Sequence, residues 1–76
     1  MAQIAERIIV DPQLHHGKPV IAGTRVPVHM VLGLLANGLT PEEIMRDYYE
    51  HITREDVLAC IRYAQNLVEE EEIHAA

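Results

Sequence analysis

The apolar positions change period partway along the chain. Near the start, Ile8-Ile9-Val10 is a β-branched run that suits pleated, half-buried backbone. Asp11-Pro12 ends it, because proline has no N–H for a ladder and the pair favours a turn. Ile4 to Val10 therefore predicts one short strand. After the irregular His15-His16-Gly17-Lys18-Pro19, the segments Val20-Ile21-Ala22 and Arg25-Val26 predict two more short strands around a turn at Gly23-Thr24. From Pro27 the spacing is helical. Val28, Met30, Val31, Leu32, Leu34 and Leu35 cover most of the circumference of a first helix, the pattern of a buried central one. Gly33 inside it weakens that helix by about 1 kcal/mol relative to alanine.

Two corners follow. Asn37-Gly38 suits the left-handed residue that closes a helix. Thr40 can cap the next one, with Pro41 at its first position and Glu43 placed to reach back to the Thr40 amide. This second helix, Pro41 to about Tyr48, is expected to turn Ile44, Met45 and Tyr48 inward. Thr53 can cap a third, with Glu55 and Asp56 favoured by the amide dipoles of its first turn. Val57, Ile61, Ala64 and Val68 form its inward stripe, with Cys60 and Leu67 at the edge. Glu69, Glu70, Glu71 and Glu72 oppose the dipole at its far end and predict fraying. The fold class is mostly α: small N-terminal strands, then a three-helix helix-turn-helix unit, homeodomain-like or winged-helix-like. One domain spans residues 1–76, with a strand-rich dimerisation half at 1–27, the three-helix unit at 28–70 and a tail at 71–76.

Size sharpens this picture. A chain of 76 residues without Phe or Trp builds its core from Ile, Val, Leu, Met and Tyr, and at this length folding buries only roughly 60% of the unfolded surface. A second copy that pairs the strand edges would add apolar burial, so a homodimer through the front half is expected. Charge is unevenly placed. Up to Met30, Arg7, Lys18 and Arg25 stand against Glu6 and Asp11, a balance of +1; from Val31, Arg46, Arg54 and Arg62 stand against ten acidic residues, a balance of −7. Phosphate neutralisation supplies most of a DNA reader's affinity, so this distribution suits a basic protein partner better than nucleic acid. No apolar run approaches the roughly 20 residues that cross a bilayer. The lone Cys60 cannot form an internal disulfide, and no leader-like segment precedes the first strand, so a cytoplasmic location is expected.

Catalytic chemistry finds little support. The five histidines lack ligand spacing: His15 and His16 are adjacent and point apart on extended backbone, while His29, His51 and His74 stand alone. Gly17-Lys18 is followed by Pro19 rather than Ser or Thr, so it is no phosphate-binding loop. Cys60 lies on the core side of a helix, where a thiol acts as a small apolar group. No nucleophile triad or paired-carboxylate set emerges, and the expectation is a protein that is not an enzyme, with no cofactor or metal. Candidate DNA contacts are Arg54, Arg62, Gln65 and Asn66 on the third helix and Arg7, Lys18 and Arg25 in the front half. Arg25 has two readings: a structural pairing with Asp11 or with carbonyls, or phosphate contact beside Lys18 and Arg7.

Several segments together resemble a known family. Arg7-Ile8, Val10-Asp11-Pro12, Gly17-Lys18-Pro19-Val20-Ile21, Gly23-Thr24-Arg25-Val26-Pro27-Val28 and Leu35-Ala36-Asn37-Gly38-Leu39-Thr40-Pro41-Glu42-Glu43-Ile44 are similar to DUF433, a family of small bacterial and archaeal proteins. The resemblance continues through Asp47-Tyr48, Ile52-Thr53 and Asp56-Val57 to Ala64. His29 departs from the family pattern, which commonly has an aromatic residue there. The resemblance implies a homeodomain-like or winged-helix-like fold and a VapB-like antitoxin partnered by a PIN-like ribonuclease toxin; binding to its own promoter DNA through the helix-turn-helix is a further expectation. Glu69, Glu70, Glu71 and Glu72 are then the toxin-contact candidates, by charge complementarity to an RNA-holding surface. The competing expectation is a homodimeric protein-interaction module without DNA contact. A metal or redox sensor is a third reading.

Overall fold

A computed structural model describes residues 1–71. Strands β1 (Ala2–Ala5), β2 (Ile8–Val10) and β3 (Val20–Ile21) form an antiparallel sheet in that order, followed by helices α1 (Val28–Ala36), α2 (Pro41–Asp47) and α3 (Arg54–Glu70). The helix-turn-helix outline is present, and two details of the front half differ from expectation.

The single strand expected over Ile4 to Val10 is a hairpin, with Gln3 opposite Ile9 and Ala5 opposite Ile8 across a turn at Glu6-Arg7. Arg7 carries φ 65°, a left-handed conformation that costs a non-glycine residue free energy. No glycine or asparagine marks this turn, so turn chemistry did not reveal it. The Arg7 carbonyl accepts the Ala22 amide at 2.8 Å, which ties the turn to the third strand. The second difference lies beyond Gly23. Val20-Ile21 forms a strand, but the returning segment makes a single bridge, Pro27 opposite Val20, held by the Ile21 amide on the Val26 carbonyl and the Val28 amide on the Pro19 carbonyl, each at 3.0 Å. The pairing ends there because α1 begins at Val28, the next residue.

The corners close as local chemistry dictates. At the end of α1 the Leu39 amide reaches the Leu34 carbonyl at 3.1 Å and the Gly38 amide reaches Leu35 at 3.0 Å, with Gly38 at φ 93°. This is a Schellman closure, which needs a residue that tolerates positive φ. Helix α2 opens with a capping box: the Thr40 hydroxyl accepts the Glu43 amide at 3.1 Å, and the Glu43 carboxylate accepts the Thr40 amide at 2.9 Å. The Thr40 amide, and after it the Thr40 hydroxyl, hold the Glu43 carboxyl below its usual range. Helix α3 opens with a second box between Thr53 and Asp56, with bonds of 3.0 and 3.2 Å.

The core lies where the sheet meets the three helices. Ile8 and Ile21 come from the strands, Val28 and Val31 from α1, Ile44 from α2, Ile52 from the connection, and Val57, Ala59 and Cys60 from α3. Two inward assignments are corrected. Tyr48 is 55% exposed, and Tyr49, in the turn after α2, packs against the core instead. On α3 only the first part of the expected stripe is enclosed: Ile61 is 42%, Leu67 46% and Val68 65% exposed. Two effects expose them: the buried face of α3 runs through Asp56, Val57, Ala59, Cys60 and Tyr63, about 90° around from the centre of the expected stripe, which leaves Ile61 outside, and Leu67 and Val68 lie past Tyr63, where α3 outruns the core. No helix of the described residues is long and apolar enough to cross a membrane.

Candidate partner-binding surface

The seven basic and amide side chains considered for DNA contact do not assemble into one surface. Arg7 donates to the Asp56 carboxylate at 3.1 Å, linking the β1–β2 turn to the start of α3 across 49 positions of sequence. Arg54 is ion-paired with Glu42, which ties the first turn of α3 to α2. Gln65 donates to Glu69 at 3.2 Å along the helix. Lys18, Arg25, Arg62 and Asn66 are exposed. Of these, Arg25 lines one depression and Arg62 and Asn66 line another.

Arg25 does not pair with Asp11. The Asp11 carboxylate accepts the Gln13 amide at 2.9 Å and shapes its own turn instead. The backbone around Arg25 is nevertheless pinned on both sides. The Thr24 hydroxyl donates to the Ile21 carbonyl at 2.8 Å and accepts the Val26 amide at 3.0 Å, and a His15 ring nitrogen bonds the Arg25 carbonyl at 2.8 Å. The guanidinium itself has no protein partner among the described residues and stands over an open depression of ≈ 700 Å³ lined by Ile9, Asp11, Leu14, Thr24 and His51. His15, His16 and Gly17 follow one another at φ 47°, 56° and 78°, a left-handed turn that brings His15 within reach of that carbonyl.

The C-terminal half of α3 has a different character. Ile61 and Val68, expected inward, and Leu67, expected at the edge of the stripe, are bare, together with Leu58 nearer the start of the helix. Glu69, Glu70 and Glu71 follow directly and are exposed. Glu72 and His74 lie outside the described residues. This stretch is an acidic helical arm with apolar side chains, a surface that suits a protein partner with basic and apolar ground. As a groove reader α3 is poorly furnished, since its first turn carries Glu55 and Asp56 and its arginine there is tied to Glu42.

Cys60 is buried among apolar groups, and burial, with Asp56 nearby, pushes its thiol up to about 12. A thiol-specific reagent at pH 8 is expected to leave the folded protein unlabelled and to label it within minutes in strong denaturant; labelling at equal rates in both states would contradict the enclosure of this side chain. No group of three or more His, Cys, Asp or Glu side chains among the described residues is arranged to hold a metal ion.

Fold and surface together define a small protein in which a three-stranded ribbon braces a helix-turn-helix unit whose last helix projects beyond the core. The chain belongs to the DUF433 family: residues 8–64 match the family described as "Protein of unknown function (DUF433)". No curated protein and no solved structure matches it. The match covers the ribbon from β2 onward, both helical corners and α3 as far as Ala64, and stops where α3 leaves the core.

Proposed function

We propose that this protein is a non-enzymatic binding module, an antitoxin of the VapB-like kind that holds a PIN-like ribonuclease toxin through the C-terminal arm of α3. The observation that carries this reading is the unpaired half of the α3 stripe, with Ile61, Leu67 and Val68 exposed and three glutamates directly after them. An enzyme that holds RNA needs a basic surface, and an acidic helix with an apolar side occupies such a surface by charge and by apolar contact. Promoter binding has weaker support, because Arg7 and Arg54 are held in ion pairs and Arg25 lines a different depression from Arg62 and Asn66. An interaction module without DNA contact therefore fits the surface better than a repressor does.

The test reads the adjacent reading frames for a PIN-like ribonuclease and combines that protein with the full chain; the absence of such a gene beside this one counts against the antitoxin reading. Stoichiometric chain is expected to suppress RNA cleavage, and the double variant Leu67→Asp with Val68→Asp is expected to weaken the complex at least roughly tenfold. Unchanged neutralisation by that variant would remove the apolar side of the arm from the interface, and unchanged neutralisation by a chain ending at Val68 would remove the glutamates. DNA contact is read separately: retention of the upstream DNA that falls steeply between low and moderate salt would restore the repressor role.

A further inference from the structure

The groove between β1 and α3 is not used by the arm described above. It encloses ≈ 290 Å³ and is lined by Ile4, Ala5 and Glu6 on the ribbon side and by Ala59, Arg62, Tyr63 and Asn66 on the helix. Strand β1 is an edge of the sheet. It carries Ala2, Gln3, Ile4 and Ala5, without a charge or a proline to deter a further strand. On α3, Arg62 and Asn66 are four residues apart and share a face, and Glu70 stands one turn further on the same face. The order cation, amide, carboxylate is self-complementary when reversed. Laid antiparallel against a second α3 with Asn66 at the two-fold axis, it brings Arg62 of each copy to Glu70 of the other. Within one chain these two are about 12 Å apart along the helix, and neither has an ion-pair partner among the described residues. Glu6 also lines the groove, yet no ion pair joins it to Arg62.

We propose that this groove seats a second copy of the chain, as a two-fold dimer in which β1 pairs antiparallel with the partner's β1 and α3 crosses the partner's α3 at Asn66. Ile4 and Asn66 line the same groove, so one axis serves both contacts, and the second Ile4 covers the open side of the first. Val68 lies about 200° around the helix from Asn66, so the dimer leaves Val68 open, while Glu70, one of the three glutamates of the arm, is taken up by the dimer contact. The inference does not depend on the identity of any other partner.

The experiment is sedimentation of the full chain over a wide concentration range, for the native sequence, for Arg62→Glu, for Glu70→Arg, and for an equal mixture of the two variants. Both positions are exposed, so far-UV circular dichroism is expected to be unchanged. Each variant alone sets like charges against each other twice and is expected to weaken the dimer about tenfold or more. The mixture restores opposite charges at both contacts and is expected to associate as the native chain does. Amide exchange at Gln3 to Ala5 is expected to slow as native concentration rises. A native chain that stays monomeric, single variants that dimerise normally, or a mixture that stays apart would each overturn the proposal.

Discussion

Replacing Ile44 by alanine is expected to destabilise the protein by about 3–4 kcal/mol, by removing a fully enclosed branched side chain and leaving a cavity that only partly collapses. Ile44 is the sole fully buried residue of α2, and it closes the core between α1 and α3. Native stabilities run near 0.05–0.15 kcal/mol per residue, so a chain of this length has roughly 4–11 kcal/mol in total. The substitution therefore removes a large fraction of it and lowers the melting temperature by roughly 15 °C or more. Ile44→Val keeps most of the volume and is expected to cost about 1 kcal/mol. Urea unfolding followed by circular dichroism measures both, and a cost below about 1 kcal/mol for the alanine variant would mean that α2 does not close the core.

The parts of the fold that were legible in the sequence are those fixed within a few residues. Thr40 and Glu43 form the expected capping box, and Asn37-Gly38 makes the expected stop, because each depends on backbone amides no more than one turn away. The hairpin was missed because Arg7 accepts a left-handed conformation that its side chain does not advertise; what holds it there is an aspartate 49 positions later. Helical spacing identified α3 and the inward Val57 and Cys60, but the enclosed face is rotated toward Asp56 and Ala59 and away from Ile61. Periodicity does not record how much of a stripe the chain can cover by itself, and the sheet and shorter helices stop before Leu67. For the same reason the surface candidates were only partly legible: charge identifies Arg7 and Arg54, but their partners Asp56 and Glu42 come from other elements. Glu69 to Glu71 do stand exposed at the end of α3, where sequence alone put them.

Asp56→Ala is the second large effect, expected at about 2 kcal/mol, and it separates the two halves of the molecule more than it damages the core. One Asp56 oxygen accepts the Thr53 amide at 3.0 Å and the other accepts Arg7 at 3.1 Å, so a single carboxylate both starts α3 and holds the ribbon turn against it. Loss of the cap costs about 1 kcal/mol. The ion pair adds a similar amount or less, because the Arg7 side chain is 45% exposed and water screens it. Asp56→Asn retains an oxygen for the Thr53 amide but not the charge, and is expected to cost about half as much. Arg7→Gly relieves the left-handed turn while removing the same ion pair, so these two contributions oppose each other. If the tie matters for the ribbon, amide exchange in β1 and at the Ala22 amide accelerates in Asp56→Ala more than exchange in α1 does. Equal acceleration everywhere would show that Asp56 acts only as a helix cap, and the bracing of the ribbon by α3 would have to come from the shared apolar core.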